Sequence, residues 1–257
     1  MDFECLLYAQ EDQTAVITLN RPKVLNAMNH QLWRDLEQAL DRAEADETVK
    51  VVVVTGTGRA FSTGADLKES QTRGPEEYRA YLQRLQEVSR RIIRFPKPTI
   101  AAVNGYALGS GYELALACDM RIAAQDAKIG SPEARVTSSV TGGAFRLLQD
   151  LVGPGKAAEL LFSAENIDGL EAARIGLVNR AVPPDQLMAN ALELAAKISA
   201  NSSFSIRMMK KGLFMARGGA GLDELMDFEV EGCLACVNTQ ERQTSLDAFH
   251  GRKTKSE

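Results

Sequence analysis

The stretch that decides the fold is Thr99-Ile100-Ala101-Ala102-Val103-Asn104-Gly105-Tyr106-Ala107-Leu108-Gly109-Ser110-Gly111-Tyr112-Glu113-Leu114-Ala115-Leu116-Ala117. It begins as a short apolar strand, passes through a turn with three glycines in seven residues, and ends in an apolar helix that carries Glu113. A helix that begins at such a turn presents free backbone N–H groups and the positive end of its dipole. This arrangement suits an anion or a carbonyl oxygen that becomes one. The same pattern also fits a tight packing corner with a solvated Glu113.

The first part of the chain predicts two strands of a hairpin, at 5–8 and 15–19, and then a helix with Asn29 as its N-cap. Between the hairpin and this helix, the basic, turn-rich segment 21–23 could meet a phosphate. Further on, Pro75 opens a long helix, and residues 131–133 are expected to form a turn that carries Glu133.

A second strand with a glycine-rich turn precedes the stretch at 99–117. Residues 49–55 are mostly β-branched and evenly hydrophobic, as in a buried parallel strand, and Gly56, Gly58 and Gly64 follow them. Strand–turn–helix units continue to a last strand at 177–182, after which only helical patterns follow, at about 185–200, 204–216 and 221–238. The sequence therefore predicts an α/β core followed by a helical C-terminal region.

Composition excludes several classes of function. The net charge of −4 and the absence of a Lys/Arg run argue against nucleic acid as a partner. No apolar run is long enough to span a membrane, and the acidic N-terminus does not resemble a secretion signal, so we expect a cytoplasmic protein. The two histidines, His30 and His250, lie at opposite ends of the chain, which argues against a zinc site. Cys233 and Cys236 have redox-motif spacing but are expected to be reduced helix residues.

Four ordered motifs resemble those of the crotonase family, the enoyl-CoA hydratase/isomerase group. They lie at residues 19–28, 61–67, 104–114 and 172–179, so the resemblance covers nearly the whole chain. It implies an α/β fold in which residues 1–200 form a crotonase-like spiral core of ββα turns for acyl-CoA binding and catalysis. Residues 201–257 would form a C-terminal helical region for oligomerisation, giving a homotrimer or a hexamer built as a dimer of trimers.

The resemblance also implies a chemistry. The substrate would be an acyl-CoA thioester, with no cofactor beyond the coenzyme A of the substrate itself. The family's oxyanion hole falls on the backbone N–H groups of Ala65 and Ser110, and the two glutamates of its hydratases fall on Glu113 and Glu133. Hydration of a 2-enoyl thioester needs a base that activates water for attack at C3 and an acid that protonates C2. We assign Glu113 mainly to the water and Glu133 mainly to the proton, although a coupled pair need not divide the work so cleanly.

Coenzyme A recognition rests on the resemblance alone. It places the CoA and substrate contacts on Lys23, Val24, Leu25, Ala27, Gly64, Asp66, Leu67 and Gly109. Near the C-terminus, Arg252 and Lys253 resemble basic residues that reach the CoA phosphates of a neighbouring subunit, and they read equally well as solvated tail charges.

Two positions depart from the family pattern. Ser110 stands where the family usually has glycine. Serine keeps the backbone N–H needed for the oxyanion hole, but its backbone would be strained if this position required a positive φ. After Glu133, many hydratases have an apolar loop with glycine and proline, whereas this chain has Thr137-Ser138-Ser139-Val140. Because that loop shapes the acyl pocket in the family, a polar run favours an acyl group with a hydroxyl, keto or carboxyl substituent over a plain fatty chain.

Three readings of function stay open from the sequence. The first is an enoyl-CoA hydratase or dehydratase. The second is another crotonase-type reaction, namely double-bond isomerisation, thioester hydrolysis or C–C cleavage. The third is a catalytically silent acyl-CoA-binding protein. The presence of both Glu113 and Glu133 favours water chemistry, because the family's isomerases commonly rely on one carboxylate at the second position.

Overall fold

The computed structural model describes residues 3–70, 74–239, 241–243 and 246–247 of the chain. These residues belong to two compact units, Met1–Lys197 and Ile198–Glu257. The division between the units lies three residues before the domain boundary at 200 that the sequence suggests. The roles given to the two parts, catalysis and oligomerisation, stay predictions.

The elements follow each other in an order that repeats strand, strand, helix. In the chain they are β1 (Leu6–Glu11), β2 (Thr14–Leu19), α1 (His30–Ala45), β3 (Val51–Gly56), β4 (Ala60–Ser62), α2 (Leu67–Ser70), α3 (Pro75–Ile93), β5 (Thr99–Val103), β6 (Tyr106–Leu108), α4 (Ser110–Ala117), β7 (Met120–Ala124), β8 (Lys128–Gly130), α5 (Ala144–Ser163), β9 (Ile167–Asp168), α6 (Gly169–Arg174), β10 (Arg180–Val182), α7 (Leu187–Ser199), α8 (Ser203–Arg217) and α9 (Leu222–Val237). Short 3-10 helices lie at Pro22–Val24, Glu133–Val136 and Pro184–Gln186.

The larger sheet of the first unit has six strands in the order β1-β2-β3-β5-β7-β10. The predicted hairpin of β1 and β2 is antiparallel, and every other pair in this sheet is parallel. All six residues of β3 are buried, as the even hydrophobicity of the run predicts for a strand covered on both faces. Helix α1 begins at the predicted cap, where the Asn29 side chain accepts a hydrogen bond from the Leu32 N–H, and its apolar face joins the core.

The smaller sheet decides where the functional loops lie. Its order is β4-β6-β8-β9, and the β4–β6 and β6–β8 pairs are parallel. Each of these three strands follows a strand of the larger sheet, and each leads toward a helix. Because parallel neighbours end at the same edge, the segments after Ser62, Leu108 and Gly130 meet there.

The sequence-based assignment of elements is wrong in three places. The glycine-rich turns contain the short strands β4 and β6, which are too brief to show an alternating pattern. Glu133 begins a 3-10 helix and does not lie in a simple turn. The last strand begins at Arg180, because residues 177–179 form the turn after α6, in which the Asn179 N–H donates to the Arg121 carbonyl oxygen.

Helix α4 is held at its C-terminal end by a buried cation. The guanidinium of Arg121, a residue only 5% exposed, donates to the carbonyl oxygens of Ala115 and Cys118 at 3.2 and 2.6 Å and to that of Leu177 at 2.9 Å. The last carbonyl groups of a helix have no hydrogen-bond donor within the helix. Arg121 supplies donors to these buried carbonyl oxygens, which water cannot reach. The helix that carries Glu113 is thereby fixed to the core.

The second unit contains α8 and α9. Four large apolar residues of α9, spaced four apart, are each more than half exposed: Leu222, Met226, Val230 and Leu234. Spacing of four places them on one face of the helix.

Over the residues described, no helix is both long and apolar enough to cross a membrane. All four cysteines are free.

Candidate active site

A cavity of about 560 Å³ lies where the segments after β4, β6 and β8 meet. Helix α3 supplies its apolar wall, and the loop that follows the 3-10 helix at 133–136 supplies hydroxyl groups. The lining residues of main interest are Ala27, Ala65, Asp66, Leu67, Tyr78, Tyr81, Leu82, Leu85, Gly109, Ser110, Glu113, Glu133, Ser138, Ser139 and Thr141. Most of the predicted site residues therefore border a single space.

Two backbone N–H groups at the cavity lack protein acceptors among the described residues. Met28 pairs with the neighbours of Ala65, because its N–H donates to the Gly64 carbonyl oxygen and its own carbonyl oxygen accepts from Asp66. In an extended segment, successive N–H groups point to opposite sides, so the Ala65 N–H points away from Met28. The Ser110 N–H begins α4, and a first-turn N–H has no acceptor within its helix.

Two glycines allow these N–H groups to lie side by side. A Cβ on Gly64 would lie 2.8 Å from the Leu108 carbonyl oxygen and 3.0 Å from the Ser110 nitrogen, so a side chain there would force the two segments apart. Gly109 has a φ of 53° and Ser110 does not lie in the left-handed region, so glycine bears the unusual conformation. The strain considered for Ser110 is therefore absent.

Glu113 lies in the first turn of α4 and is only 2% exposed. Both of its carboxylate oxygens accept hydrogen bonds from Thr141, Oε1 from the backbone N–H and Oε2 from the hydroxyl at 2.7 Å. Burial raises the pKa of Glu113, the two Thr141 bonds oppose that effect, and the nearby Glu133 raises the pKa further. The net direction of the pKa shift is upward, and shifted carboxyl groups of this kind are common where a protein carries out acid–base chemistry.

Glu133 stands at the start of its 3-10 helix and is partly exposed. The Ser131 hydroxyl donates to its Oε2, and its Oε1 lies beside Gly109, where a glycine Cβ would approach it to 3.0 Å. Glu133 thus adjoins the residue before Ser110, and Glu113 lies three residues beyond it on α4. Two carboxylates and two backbone donors border the same cavity.

The residues predicted to contact coenzyme A separate into two groups. Ala27, Asp66 and Leu67 line the cavity, whereas Lys23 and Val24 lie on the exposed 3-10 turn before it. Leu25 and Gly64 do not line the cavity either, although Leu25 accepts the Thr63 N–H and so holds the two segments together. Arg252 and Lys253 lie outside the described residues.

Asp66 has a structural partner that the sequence did not reveal. Its carboxylate accepts a hydrogen bond from Arg21 at 2.9 Å, and the same Arg21 nitrogen donates to the Ala27 carbonyl oxygen. This pair joins the segment before α1 to the segment that carries Ala65. Arg21, which belongs to the basic segment considered for a phosphate contact, therefore holds the loop next to the cavity.

The contact between Thr141 and Glu113 was missed from the sequence. The two residues are separated by 28 positions, and neither helix periodicity nor a short motif relates them. The one available signal was the run of hydroxyl side chains after Glu133, of which Ser138, Ser139 and Thr141 line the cavity. Within the described part of the chain, no cluster of His, Cys, Asp and Glu could hold a metal ion.

Comparisons with known proteins agree with one another. The family model described as enoyl-CoA hydratase/isomerase matches residues 9–256. The chain is 38% identical to a short-chain-enoyl-CoA hydratase from Clostridium acetobutylicum, covering 97% of this chain and 95% of that protein. It is 36% identical to a crotonyl-CoA hydratase from Syntrophomonas wolfei, covering 97% and 96%. Among solved structures, an enoyl-CoA hydratase from Bacillus anthracis matches with a TM-score of 0.94 and 31% identity over 97% of each chain.

The raised pKa of Glu113 predicts how stability depends on pH. Because the folded protein binds this proton more tightly than the unfolded chain, Glu113 contributes stability that is complete below about pH 4.5 and is lost as the pH rises through the folded pKa. The prediction concerns the difference in thermal midpoint between the two proteins, taken as wild type minus Glu113→Gln. This difference should fall as the pH rises from 4.5. The exposed Glu165→Gln variant is the control, and a constant difference for Glu113→Gln would contradict the prediction.

Proposed function

Because this chain belongs to the enoyl-CoA hydratase/isomerase family and has its crotonase fold, we propose that it hydrates the 2,3 double bond of an enoyl-CoA thioester, or catalyses the reverse dehydration. The protein is an enzyme of the lyase class, as its hydratase relatives are. The observation that carries the proposal is the shared cavity of Glu113, Glu133, Ala65 and Ser110. Hydration needs these four groups together, a base, an acid and two donors for the thioester oxygen.

The N–H groups of Ala65 and Ser110 are proposed to bind the thioester carbonyl oxygen. Attack of water at C3 moves the electrons of the double bond toward this oxygen and forms an enolate. Two fixed donors stabilise this charge without reorganisation, and losing one such donor typically costs about 10²–10³ in rate. Their free state among the described residues supports this role.

Glu113 is proposed as the base and Glu133 as the acid. A backbone N–H can only donate, so the Thr141 N–H requires Glu113 Oε1 as an acceptor, which favours the ionised carboxylate. Glu133 is contacted by the Ser131 hydroxyl, which can donate to a carboxylate or accept from a carboxylic acid. The water oxygen bonds to C3 as Glu113 takes one proton, and Glu133 delivers a proton to C2, so the net addition is one water.

The other crotonase-type reactions differ in what they need from this cavity. Isomerisation moves one proton between two carbons and requires a single carboxylate, whereas hydrolysis or C–C cleavage breaks a different bond of the same enolate or thioester. Two carboxylates at one cavity favour water addition over these alternatives. A silent binding protein would not need the buried Glu113, whose desolvation costs stability.

Hydration of crotonyl-CoA tests the proposal directly. The ultraviolet absorbance of the conjugated enoyl thioester should fall when the wild-type enzyme is added. Glu113→Gln and Glu133→Gln should each lower kcat by at least about 10²-fold, because each removes one proton-transfer group. The exposed Glu165→Gln variant is the matched control and should retain the wild-type rate.

Either of two results would contradict the proposed mechanism. The first is crotonyl-CoA binding without absorbance loss, which would point to another crotonase-type reaction or another acyl group. The second is full activity in one of the two glutamate variants, which would leave a single-carboxylate mechanism. Tritium exchange at C2 or C4 without hydration would identify an isomerase.

The acyl group is proposed to carry a polar substituent. Ser138 and Ser139 line the cavity within the exposed loop after Glu133, and Thr141 follows them. A hydroxyl, keto or carboxyl oxygen on the acyl chain could exchange hydrogen bonds with the Ser138 and Ser139 hydroxyl groups, whereas a plain alkyl chain would leave these two groups to water. A pocket built for such a bond discriminates against substrates that lack the partner.

A pair of substrates tests this preference. We expect 4-hydroxycrotonyl-CoA to have a kcat/KM at least about 10-fold above that of crotonyl-CoA. The double variant Ser138→Ala/Ser139→Ala should remove the difference, and Ser163→Ala, outside the cavity, should keep it. Stronger protection of the 134–145 loop from hydrogen exchange by the hydroxylated product would agree, and equal rates for both substrates would contradict the proposal.

Coenzyme A is proposed to lie along the segments that frame the cavity entrance. Ala27, Asp66, Leu67 and Gly109 border the cavity, and the exposed Lys23 lies on the adjoining turn with its charge available to a phosphate group. No cofactor beyond the coenzyme A of the substrate is required by this chemistry. The cytoplasmic location stays a prediction.

Further copies of this chain are proposed to cover the exposed apolar face of α9. Monomeric proteins rarely expose a contiguous apolar patch of this kind. Leu222, Met226, Val230 and Leu234 form the stripe, and a homotrimer or a hexamer of two trimers would bury it.

Sedimentation analysis tests the assembly. The wild type should sediment as a trimer or hexamer of the 28.0 kDa chain. Val230→Asp should lower the mass at micromolar concentration, because it places a charge in an apolar contact. Asp227→Asn, a polar exchange on the same helix, should leave the mass unchanged. A wild-type monomer would contradict the proposal.

A further inference from the structure

One residue controls both oxygens of the buried carboxylate. Thr141 donates its backbone N–H to Glu113 Oε1 and its hydroxyl to Glu113 Oε2 at 2.7 Å. The close approach depends on the next residue, because a Cβ on Gly142 would lie 3.2 Å from the Glu113 Cβ. The loop before α5 therefore holds Glu113 by hydrogen bonds, and this loop belongs to a different ββα repeat from α4, the helix that carries Glu113.

We propose that the Thr141 hydroxyl is a positioning group that orients Glu113 and keeps it ionised as the base for water. This inference deepens the hydratase function proposed above and rests on it. Thr141 touches neither the reacting carbons nor the water in this scheme; it acts through Glu113.

Hydrogen-bond capacity explains the orientation. A carboxylate can accept about four hydrogen bonds, two at each oxygen. Thr141 occupies one site on each oxygen and so prevents rotation of the carboxylate plane. The remaining sites face a limited set of directions, and Glu113 lines the cavity, so an attacking water can be held only from the cavity side.

Charge explains the ionisation. With 2% of Glu113 exposed, little water is available to stabilise its negative charge, and donors must come from the protein. A hydrogen bond to a charged group is about twice as strong as one between neutral groups. The hydroxyl therefore favours the ionised form of Glu113, as the backbone N–H does, and both lower its pKa against the effect of burial.

The other titratable groups around Glu113 do not replace this donor. Glu133, from the 3-10 helix, raises the pKa of Glu113. Tyr112 lies next to Glu113 on α4 itself. From α2 and α3, Lys68, Tyr78 and Tyr81 line the cavity, and on α5 Arg146 pairs with Asp150 at the surface. Among the described residues, the donors that lower the pKa of Glu113 are the backbone N–H and the hydroxyl of Thr141.

The pH profile of kcat/KM separates a hydroxyl effect from a shape effect. The base must be ionised, so kcat/KM falls as the pH drops through the pKa of Glu113 in the free enzyme. Thr141→Val keeps the side-chain shape and the backbone N–H but removes the hydroxyl, so this acidic limb should move to higher pH by about one unit. Thr141→Ser restores the donor and should return the limb to its wild-type position. Thr141→Ala serves as a second hydroxyl-free variant if Thr141→Val folds poorly.

A second measurement does not depend on turnover. With glutamate labelled at Cδ by carbon-13, the Glu113 signal can be assigned by its loss in Glu113→Gln and then titrated. Its midpoint should be higher in Thr141→Val than in the wild type and unchanged in Thr141→Ser. Equal midpoints in Thr141→Val and the wild type, or equal shifts in the valine and serine variants, would overturn the inference.

The two measurements also separate this inference from the proposed function. A wild type that hydrates no enoyl-CoA would reject the hydratase proposal whatever the titration shows. A shifted Glu113 midpoint in that case would still support control of the carboxylate by Thr141. Normal hydration with an unshifted midpoint and pH profile in Thr141→Val would keep the hydratase and reject the positioning role.

Discussion

The parallel pairing of β4, β6 and β8 is the constraint on which the candidate site depends. None of these strands is longer than three residues, yet their pairing brings three loops from three successive repeats to one edge. Ala65 follows the first strand, Ser110 the second and Glu133 the third. Because each strand is also tied to a longer strand of the six-stranded sheet, a small movement of one loop would have to disturb the core.

Close backbone packing at this edge leaves little tolerance for side chains. Gly64 lies against Leu108 and Ser110, and Gly109 adopts a backbone conformation that L-residues rarely take. Glycine at these points weakens the local chain entropically, and the surrounding pairing offsets that cost. The Arg21–Asp66 pair adds a polar link on the other side of the same loop. Among the described residues, the N–H groups of Ala65 and Ser110 have no protein acceptor in this arrangement, which leaves them for the proposed thioester oxygen.

Glu113 lies under two opposing influences. Burial and the proximity of Glu133 disfavour its charge, while two donors from Thr141 favour it. Both influences act on the same proton, and a balance of this kind is what the proposed acid–base role of Glu113 would use. The loop that supplies Thr141 also supplies the polar wall of the cavity, so the proposed acyl recognition and the proposed control of Glu113 would both come from one segment.

The sequence by itself determined the α/β class, the β1–β2 hairpin, the cap of α1 at Asn29, the long helix that begins at Pro75 and the family to which the chain belongs. These follow from local signals, namely hydrophobic periodicity, capping residues and ordered motifs, each contained within a short stretch. Only the tertiary structure decided the strands β4 and β6 and the positive φ, which falls on Gly109 and not on Ser110. It also decided the Arg21–Asp66 pair and the two hydrogen bonds from Thr141 to Glu113. Strands of three residues are too short to carry a period, and the side-chain pairs join residues 45 and 28 positions apart. Such contacts arise only when parallel strands align the loops that follow them, and that alignment is a property of the folded chain as a whole.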